Sequence, residues 1–466
     1  MLPHARLTRL RRRVFWCAVG AYGVTLPLIL AFAFGLHVES ASLEPVSETA
    51  TLEISTVPDG ADVSVSGGKP RPSPAVFDGL AAGAVEFTVS AKGAGTWRGV
   101  VRTEPGLAFS VAQLRMVSVD GPRQIATLAV GSGPVLFHEG RSVAYVPAGE
   151  STVSLVTFAT DGVNVERIPF PRSTLGTAAT LTLLEMSDQL LISGRASADA
   201  YVVDLGGLAS VGAGRRTAHA VRLPPSAIAV LSVGMGDATV DAVEMGGIAR
   251  YSGAGGAKRL LDLGGSLVAS GYVHGRWYLM DDRGGLYQQG HLLPPSRIAD
   301  LGLGGCGDCL SSGRMHVLLA ADDLAACLAP ERRRLLVFAP KRDVRTYEGI
   351  DGGSAAEEHA RLWLWRGGEL LVSFEGEKPY VVARLEGSIV RVQEEFAPRH
   401  AAVETDAGVY LLPSPAVWDG RVTLEPLLLV ANAAGVHTVA CRDGVLIGME
   451  LETGTARVYR ATWYRE

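Results

Sequence analysis

Charge is scarce in this chain and nearly balanced: Asp, Glu, Lys and Arg make up 20% of the 466 residues, for a net charge of -5. A general nucleic-acid binder gathers Lys and Arg on one face, so the composition argues against nucleic-acid partners. Aromatic residues are also few, at 7%, and cysteine occurs five times. No Gly-x-Ser-x-Gly elbow and no His-Glu-x-x-His occurs, which removes the common hydrolase and metalloprotease signatures. Long helical periodicity is missing too, and only one apolar run has the length to cross a bilayer. Every later segment is broken by Gly, Pro or a charge before reaching that length.

The one long run is Val14 to Val38, VFWCAVGAYGVTLPLILAFAFGLHV. Its length of about 25 residues suffices for a hydrocarbon core of about 30 Å. Arg6, Arg9, Arg11, Arg12 and Arg13 precede it, whereas Glu39, Glu44, Glu48 and Glu53 follow it and no basic residue appears until Lys69. That bias predicts a cytoplasmic tail over 1–13, a transmembrane signal anchor over 14–38 and a polar linker over 39–50, with the bulk of the chain translocated. Ala31-Phe32-Ala33 fits the competing reading, a cleaved signal peptide, but the run exceeds an ordinary signal-peptide core. A cytoplasmic tail of about 13 residues would leave no room for a folded output domain, which weighs against a ligand sensor.

Beyond the linker, Gly (56) and Pro (24) are plentiful and point to a turn-rich, all-β protein. Thr51-Leu52-Glu53-Ile54-Ser55 and Asp62-Val63-Ser64-Val65-Ser66 alternate in polarity around the turn Pro58-Asp59-Gly60-Ala61, and Gly67-Gly68 closes a hairpin. Ser73-Pro74, the turn Ala81-Ala82-Gly83, the strand pattern Val85 to Ser90, Gly93-Ala94 and a further strand from Trp97 to Thr103 come next. In this order the segment resembles the PEGA domain, a small extracytoplasmic β-sandwich-like module named for its Pro-Glu-Gly-Ala turn. Here Asp59 stands in place of the Glu, and the later Gly-Tyr of the family reads Gly93-Ala94. The resemblance covers residues 51–111 and places the module at 51–114. A membrane helix, one such module and a long β region together look like bacterial envelope proteins, a pattern that implies no enzymatic activity.

Residues 115–466 repeat short apolar strands and tight turns. Strand signals include Ser142–Val146, Val153–Ala159, Gln189–Ser193, Ala200–Leu205, Trp277–Met280, Leu335–Ala339, Leu362–Trp365, Glu369–Phe374, Gly408–Leu412 and Gly444–Glu450. Asp-Gly turn signals stand at 120–121, 161–162, 351–352, 419–420 and 443–444. Units spaced roughly 40 to 48 residues apart match four-stranded propeller blades, about seven in the roughly 350 residues available. Stacked β-sandwiches are the alternative. The single helical hint is Asp322–Arg334, expected as a turn between blades. A closed ring must hide its terminal strand edges. The runs Gly435–Ala440, Gly444–Glu450 and Ala456–Trp463 supply three strands, and Gln124–Val130 is the natural fourth.

The residues that could carry chemistry each have a plainer alternative. Cys306, Cys309 and Cys327 are candidates for a disulfide in an oxidising compartment; adding His316 would give a zinc set, but one without a second closely spaced ligand pair. Gly302-Leu303-Gly304-Gly305-Cys306-Gly307 matches a dinucleotide pattern by letter, without the strand and helix that pattern needs. Ser66-Gly67-Gly68-Lys69 straddles a hairpin rather than opening a helix. Asp281-Asp282 and Asp322-Asp323 are neighbours in sequence, so their side chains diverge on a strand and read as turns. Trp363 with Trp365, and the cluster Tyr272, His274, Trp277 and Tyr278, are either recognition platforms or blade packing. Arg332-Arg333-Arg334 reads as a solvated turn. No catalytic, cofactor or metal residue is assigned. The expectation is a non-catalytic, membrane-anchored envelope protein whose propeller binds proteins or cell-wall glycans; the alternative is a propeller-type envelope glycan hydrolase or lyase. External protease added to spheroplasts should digest the bulk of the protein. Protection of the C-terminal region would refute this topology, and an intact mass beginning at Phe34 would identify a cleaved signal peptide instead.

Overall fold

A computed structural model describes residues 15–23, 25–26, 36–37, 47–131, 135–138, 142–147, 150–159, 162–171, 179–184, 187–194, 198–205, 216–234, 239–252, 256–273, 276–290, 295–301, 315–321, 324–338, 344–355, 361–374, 377–397, 400–413, 422–431, 445–450 and 454–460. Two compact units emerge. The first takes the chain through Val119 together with Val417–Glu425, and the second takes Asp120–Ala416 and Pro426–Thr462.

In the first unit, Ala50–Val57 is the middle of a three-stranded sheet, antiparallel to Ala75–Leu80 and parallel to Ala108–Arg115. A five-stranded antiparallel sheet runs in the order Val422–Leu424, Trp97–Thr103, Gly83–Ser90, Asp62–Val65, Arg71–Pro72. Strict alternation gives each sheet one dry face: Leu52 and Ile54 are buried and Glu53 is exposed, as Phe87 and Val89 are buried around exposed Thr88. The indole N–H of Trp97 donates to the Arg115 carbonyl at 3.0 Å and links the two sheets. The turn around Pro58-Asp59-Gly60-Ala61 is bonded to Ser73: the Gly60 amide donates to its carbonyl at 2.9 Å, and the Ser73 amide donates to Ala61 at 2.8 Å.

The second unit is a series of antiparallel sheets taken in chain order. Blades 1 to 7 span 135–169, 179–222, 229–262, 267–300, 315–348, 352–384 and 389–431, each with four strands hydrogen-bonded in order. Blade 8 combines Arg123–Ala129 with Thr455–Arg460 and Val445–Glu450. Apolar clusters join blade 8 to blade 1 through Leu128, Val458, Val143 and Val156, and then each blade to the next as far as blade 7. The first strands of blades 1 to 3 adjoin in turn, as do those of blades 4 to 7, and those of blades 4 and 5 pair in parallel at Ala269 with Met315 and Ser270 with His316. Sheets that stack face to face in sequence, with their first strands innermost, are the architecture of a β-propeller.

Burial on both faces explains why central strands read as continuous apolar runs. All residues of Ser142–Tyr145, His400–Thr405 and Gly408–Pro413 are buried, whereas the fourth strand Ala257–Asp262 has none. The expected union of Gln124–Val130 with the C-terminal strands is borne out by the register Arg123 with Arg460 through Ala129 with Thr455. Gly435–Ala440 lies outside the described residues.

Three expectations are corrected. Eight blades stand among the described residues, not about seven, because the starts at 315, 352 and 389 fall closer together than the assumed period. Within 322–334, Leu324–Ala329 is a strand, Pro330–Arg332 is one 3-10 turn, and Arg334–Phe338 returns in the same sheet, so the segment is an intra-blade hairpin. Asp351-Gly352 carries the chain from blade 5 into blade 6 rather than closing a hairpin. In the N-terminal apolar stretch, residues 15–23 and 25–26 are helical, but Leu36–His37 is a strand paired with Ser47–Glu48. Among the described residues no helix is long and apolar enough to cross a membrane.

Because blade 8 is shared by both ends of the second unit, deletion of residues 457–466 should lower the melting transition of the entire propeller in one cooperative step. Val458→Ala, at a fully buried seam position, should cost about 2 kcal/mol in urea unfolding. A calorimetric scan showing an unchanged main transition for the truncation would contradict closure through this sheet.

Candidate functional site

A cavity of about 940 Å³ opens on the second unit. Its walls come from the first strands of blades 2 to 5 and from the link between blades 2 and 3. Gly271 makes the geometry possible. A Cβ at that position would sit 2.1 Å from the Val317 carbonyl oxygen, so only glycine lets the blade 5 strand approach closely enough to pair with blade 4. This pairing puts Ser270 beside His316 on the cavity wall. Tyr272 and Trp277 face one another across the next hairpin, with ring centroids 5.9 Å apart and planes at 60°. Leu223, Pro224, Pro225 and Ile228 line the cavity as well. The Trp277 Nε1–H is buried and has no acceptor among the described residues. His316 is the one histidine among the lining residues.

Acidic residues outside the cavity are occupied structurally. The Glu244 carboxylate accepts from Ser226, Tyr251 and Arg259. The Ser226 bond, ahead of the Tyr251 bond and the Arg259 charge, holds it below the usual carboxylate range. Asp241 is buried and pairs bidentately with Arg250 at 2.6 and 2.7 Å. Asp281, also buried, accepts from the amides of Arg283 and Gly285 and from the Tyr287 hydroxyl, while Asp282 accepts from the Ser266 amide. The Asp281-Asp282 pair thus shapes a turn, with Asp281 buried in it rather than solvated. Among the described residues, no group of three or more His, Cys, Asp or Glu is placed to hold a metal ion.

The other sequence candidates divide between core and cavity. Trp363 is fully buried and Trp365 packs with it between blades 6 and 7, so this pair is blade packing. Tyr278 is buried between blades 4 and 5, and Tyr272 and Trp277 reach the cavity. Arg333 pairs with Asp351, and Arg334 with Glu348 at 2.8 Å. Cys327 carries a free thiol in the core between blades 4 and 5. Cys306, Cys309, His274 and Asp322-Asp323 lie outside the described residues.

Sequence reading missed the joints between blades. Gln189 of blade 2 uses its side-chain amide as a strand would, donating to the Val233 carbonyl at 2.8 Å and accepting from the Val233 amide of blade 3 at 3.1 Å. An apolar residue just past the fourth strand bonds back to the turn between the second and third strands in blades 3 to 6. Leu263, Leu301, Ile350 and Leu385 donate to Gly246, Gly284, Arg333 and Gly368 at 2.8 to 2.9 Å. Two of the four carry a shared signal, Asp-Leu-Gly at 262–264 and 300–302; the same tripeptide at 204–206 follows a third strand, where Leu205 donates to the Asp188 carbonyl.

No family model matches this chain, and no curated protein matches it. Solved structures do. Saccharomyces cerevisiae Sqt1 is 10% identical, with 73% of this chain and 100% of that one covered and a TM-score of 0.44. The WD40 β-propeller domain of Doa1 is 10% identical, covering 73% and 97%, with a TM-score of 0.38. Virginiamycin B lyase from Staphylococcus aureus is 12% identical, covering 66% and 98%, with a TM-score of 0.34. Likenesses this distant transfer no activity to the chain.

Burial pushes the Cys327 thiol up to about 12. Native protein at pH 8 should therefore leave Cys327 unlabelled by a thiol reagent, and urea should expose it. The unfolded thiol ionises near about 8.5 while the folded one stays protonated, so the unfolded state binds fewer protons and stability falls as pH rises through that window. Relative to Cys327→Ala, the wild type should lose about 2 kcal/mol more between pH 7 and pH 10. Parallel pH profiles, or rapid labelling of the native protein at Cys327, would contradict this placement.

Proposed function

We propose that this chain is a non-catalytic binding protein of the cell envelope, whose propeller receives a protein or glycan partner at the cavity between blades 2 and 5. One observation carries the reading. The cavity wall sets aromatic and apolar side chains, Tyr272, Trp277, Pro224 and Pro225, beside the polar side chains of Thr182, Ser270 and His316. Concave apolar surface with a few convergent polar atoms suits recognition, and Tyr and Trp supply large contact area at low entropic cost. Bond cleavage on a glycan would need paired carboxylates converging on one bond, and the described lining contains no carboxylate.

The envelope location rests on the sequence: the arginine cluster before Val14, the charge-free stretch to Val38 and the acidic residues after it support a single-pass anchor with its N-terminus in the cytoplasm. Likeness to the PEGA module supports the same compartment, with the first unit acting as a stalk or docking module.

A photo-crosslinking phenylalanine analogue installed at Tyr272 should yield a discrete envelope adduct in intact cells, protein or glycan by mass. Trp277→Ala should diminish it several-fold. The same analogue at Val390, exposed on blade 7, should give none. No adduct from Tyr272, or the same products from both positions, would overturn the cavity as the binding site.

A further inference from the structure

The five-stranded sheet of the first unit ends on a strand borrowed from far along the chain. Val422–Leu424 pairs antiparallel with Trp97–Thr103 in the register Val422 with Val101, Thr423 with Val100 and Leu424 with Gly99. The Glu425 amide extends the ladder by donating to the Arg98 carbonyl at 2.8 Å. Val422 and Leu424 are buried and Thr423 is exposed, so the segment reads as an apolar–polar–apolar strand. Its seat is specific. A Cβ on Gly99 would lie 2.6 Å from the Phe87 ring and 2.8 Å from Leu424 Cδ2, so the room left by Gly99 is shared by the Phe87 ring and Leu424.

Without that segment, Trp97–Thr103 would present an open row of backbone donors and acceptors beside an apolar notch, the form of edge that captures extended peptides. The resident strand is only three residues long against a seven-residue acceptor. So short a ladder forms few backbone bonds along the edge. A longer extended segment with the same alternation would cover more of the edge.

We propose that the Trp97–Thr103 edge is a peptide-accepting site for extended segments of Val-x-Leu type, kept filled in cis by Val422–Leu424, and that a partner protein engages it by displacing this strand. Leucine at the third position is selected by the Gly99 notch, and the polar middle residue faces solvent. The proposal is independent of the propeller cavity.

The test uses the full chain and a fluorescent peptide, Arg-Val-Thr-Leu-Glu-Pro-Leu, the sequence of residues 421–427. Two variants release the resident strand by different means. Leu424→Asp puts a charge into the notch. Thr423→Pro removes an amide that, by the two-residue period from Glu425, faces the acceptor edge. Fluorescence anisotropy should show saturable binding to both variants, at least ten-fold tighter than to the wild type. A control peptide with Asp in place of its Leu should fail to bind either. Gly99→Val added to Thr423→Pro should abolish binding of the first peptide. Equal affinity of the wild type and the released variants, binding of the control peptide, or no binding to either variant with the near-ultraviolet dichroism of Trp97 preserved would overturn the proposal. A concentration-dependent dimer of the wild type that Thr423→Pro abolishes would also overturn it, assigning the edge to a second copy.

Discussion

The pairing of Arg123–Ala129 with Thr455–Arg460 is the constraint on which the large unit depends. Each blade presents apolar surface on both faces, and a linear stack of such sheets would leave one face bare at each end. Joining the first strand of the unit to its last ones makes blade 8 a product of both ends of the sequence. The cluster of Leu128, Ala456 and Val458 against Val143 and Val156 then covers the face that blade 1 would otherwise expose. Closure of this kind couples distant segments, because no blade can open without uncovering its neighbours.

Between blades, apolar packing is supplemented by directed bonds. The Gln189 amide paired with both backbone groups of Val233 fixes blade 2 on blade 3 in register. The amides of Leu263, Leu301, Ile350 and Leu385 tie the end of each of four blades to its own central turn. Such bonds pair backbone groups where the chain passes from sheet to sheet, the place where a repeat fold most needs them. Apolar area sets the gross stability, and these bonds set which residue meets which.

The candidate binding surfaces arise from glycine in both units. Gly271 lets two inner strands approach so that Ser270, His316, Tyr272 and Trp277 gather at one cavity, and Gly99 leaves the notch that Leu424 and the Phe87 ring share. In each case a missing side chain positions others. Neither glycine belongs to a turn motif.

Much of the architecture was legible because local chemistry dictates it. Alternation over Thr51–Ser55, short apolar runs such as Leu370–Val372, and the need to hide terminal strand edges led to the all-β class, the blade repeat and the union of Gln124–Val130 with the C-terminal strands. Blade number was not legible, since blade spacing depends on loop length, and loops cost little entropy as they lengthen. Nor could the sequence separate Trp363 from Trp277. Both sit on strands among apolar neighbours, and only the stacking of blades 6 and 7 buries the first while the cavity between blades 2 and 5 receives the second. The attachment of Val422–Leu424 to Trp97–Thr103 was beyond it as well. Periodicity identifies a strand and the face it buries, but pairing across 300 or so intervening residues is selected by long-range shape, here a notch one side chain deep.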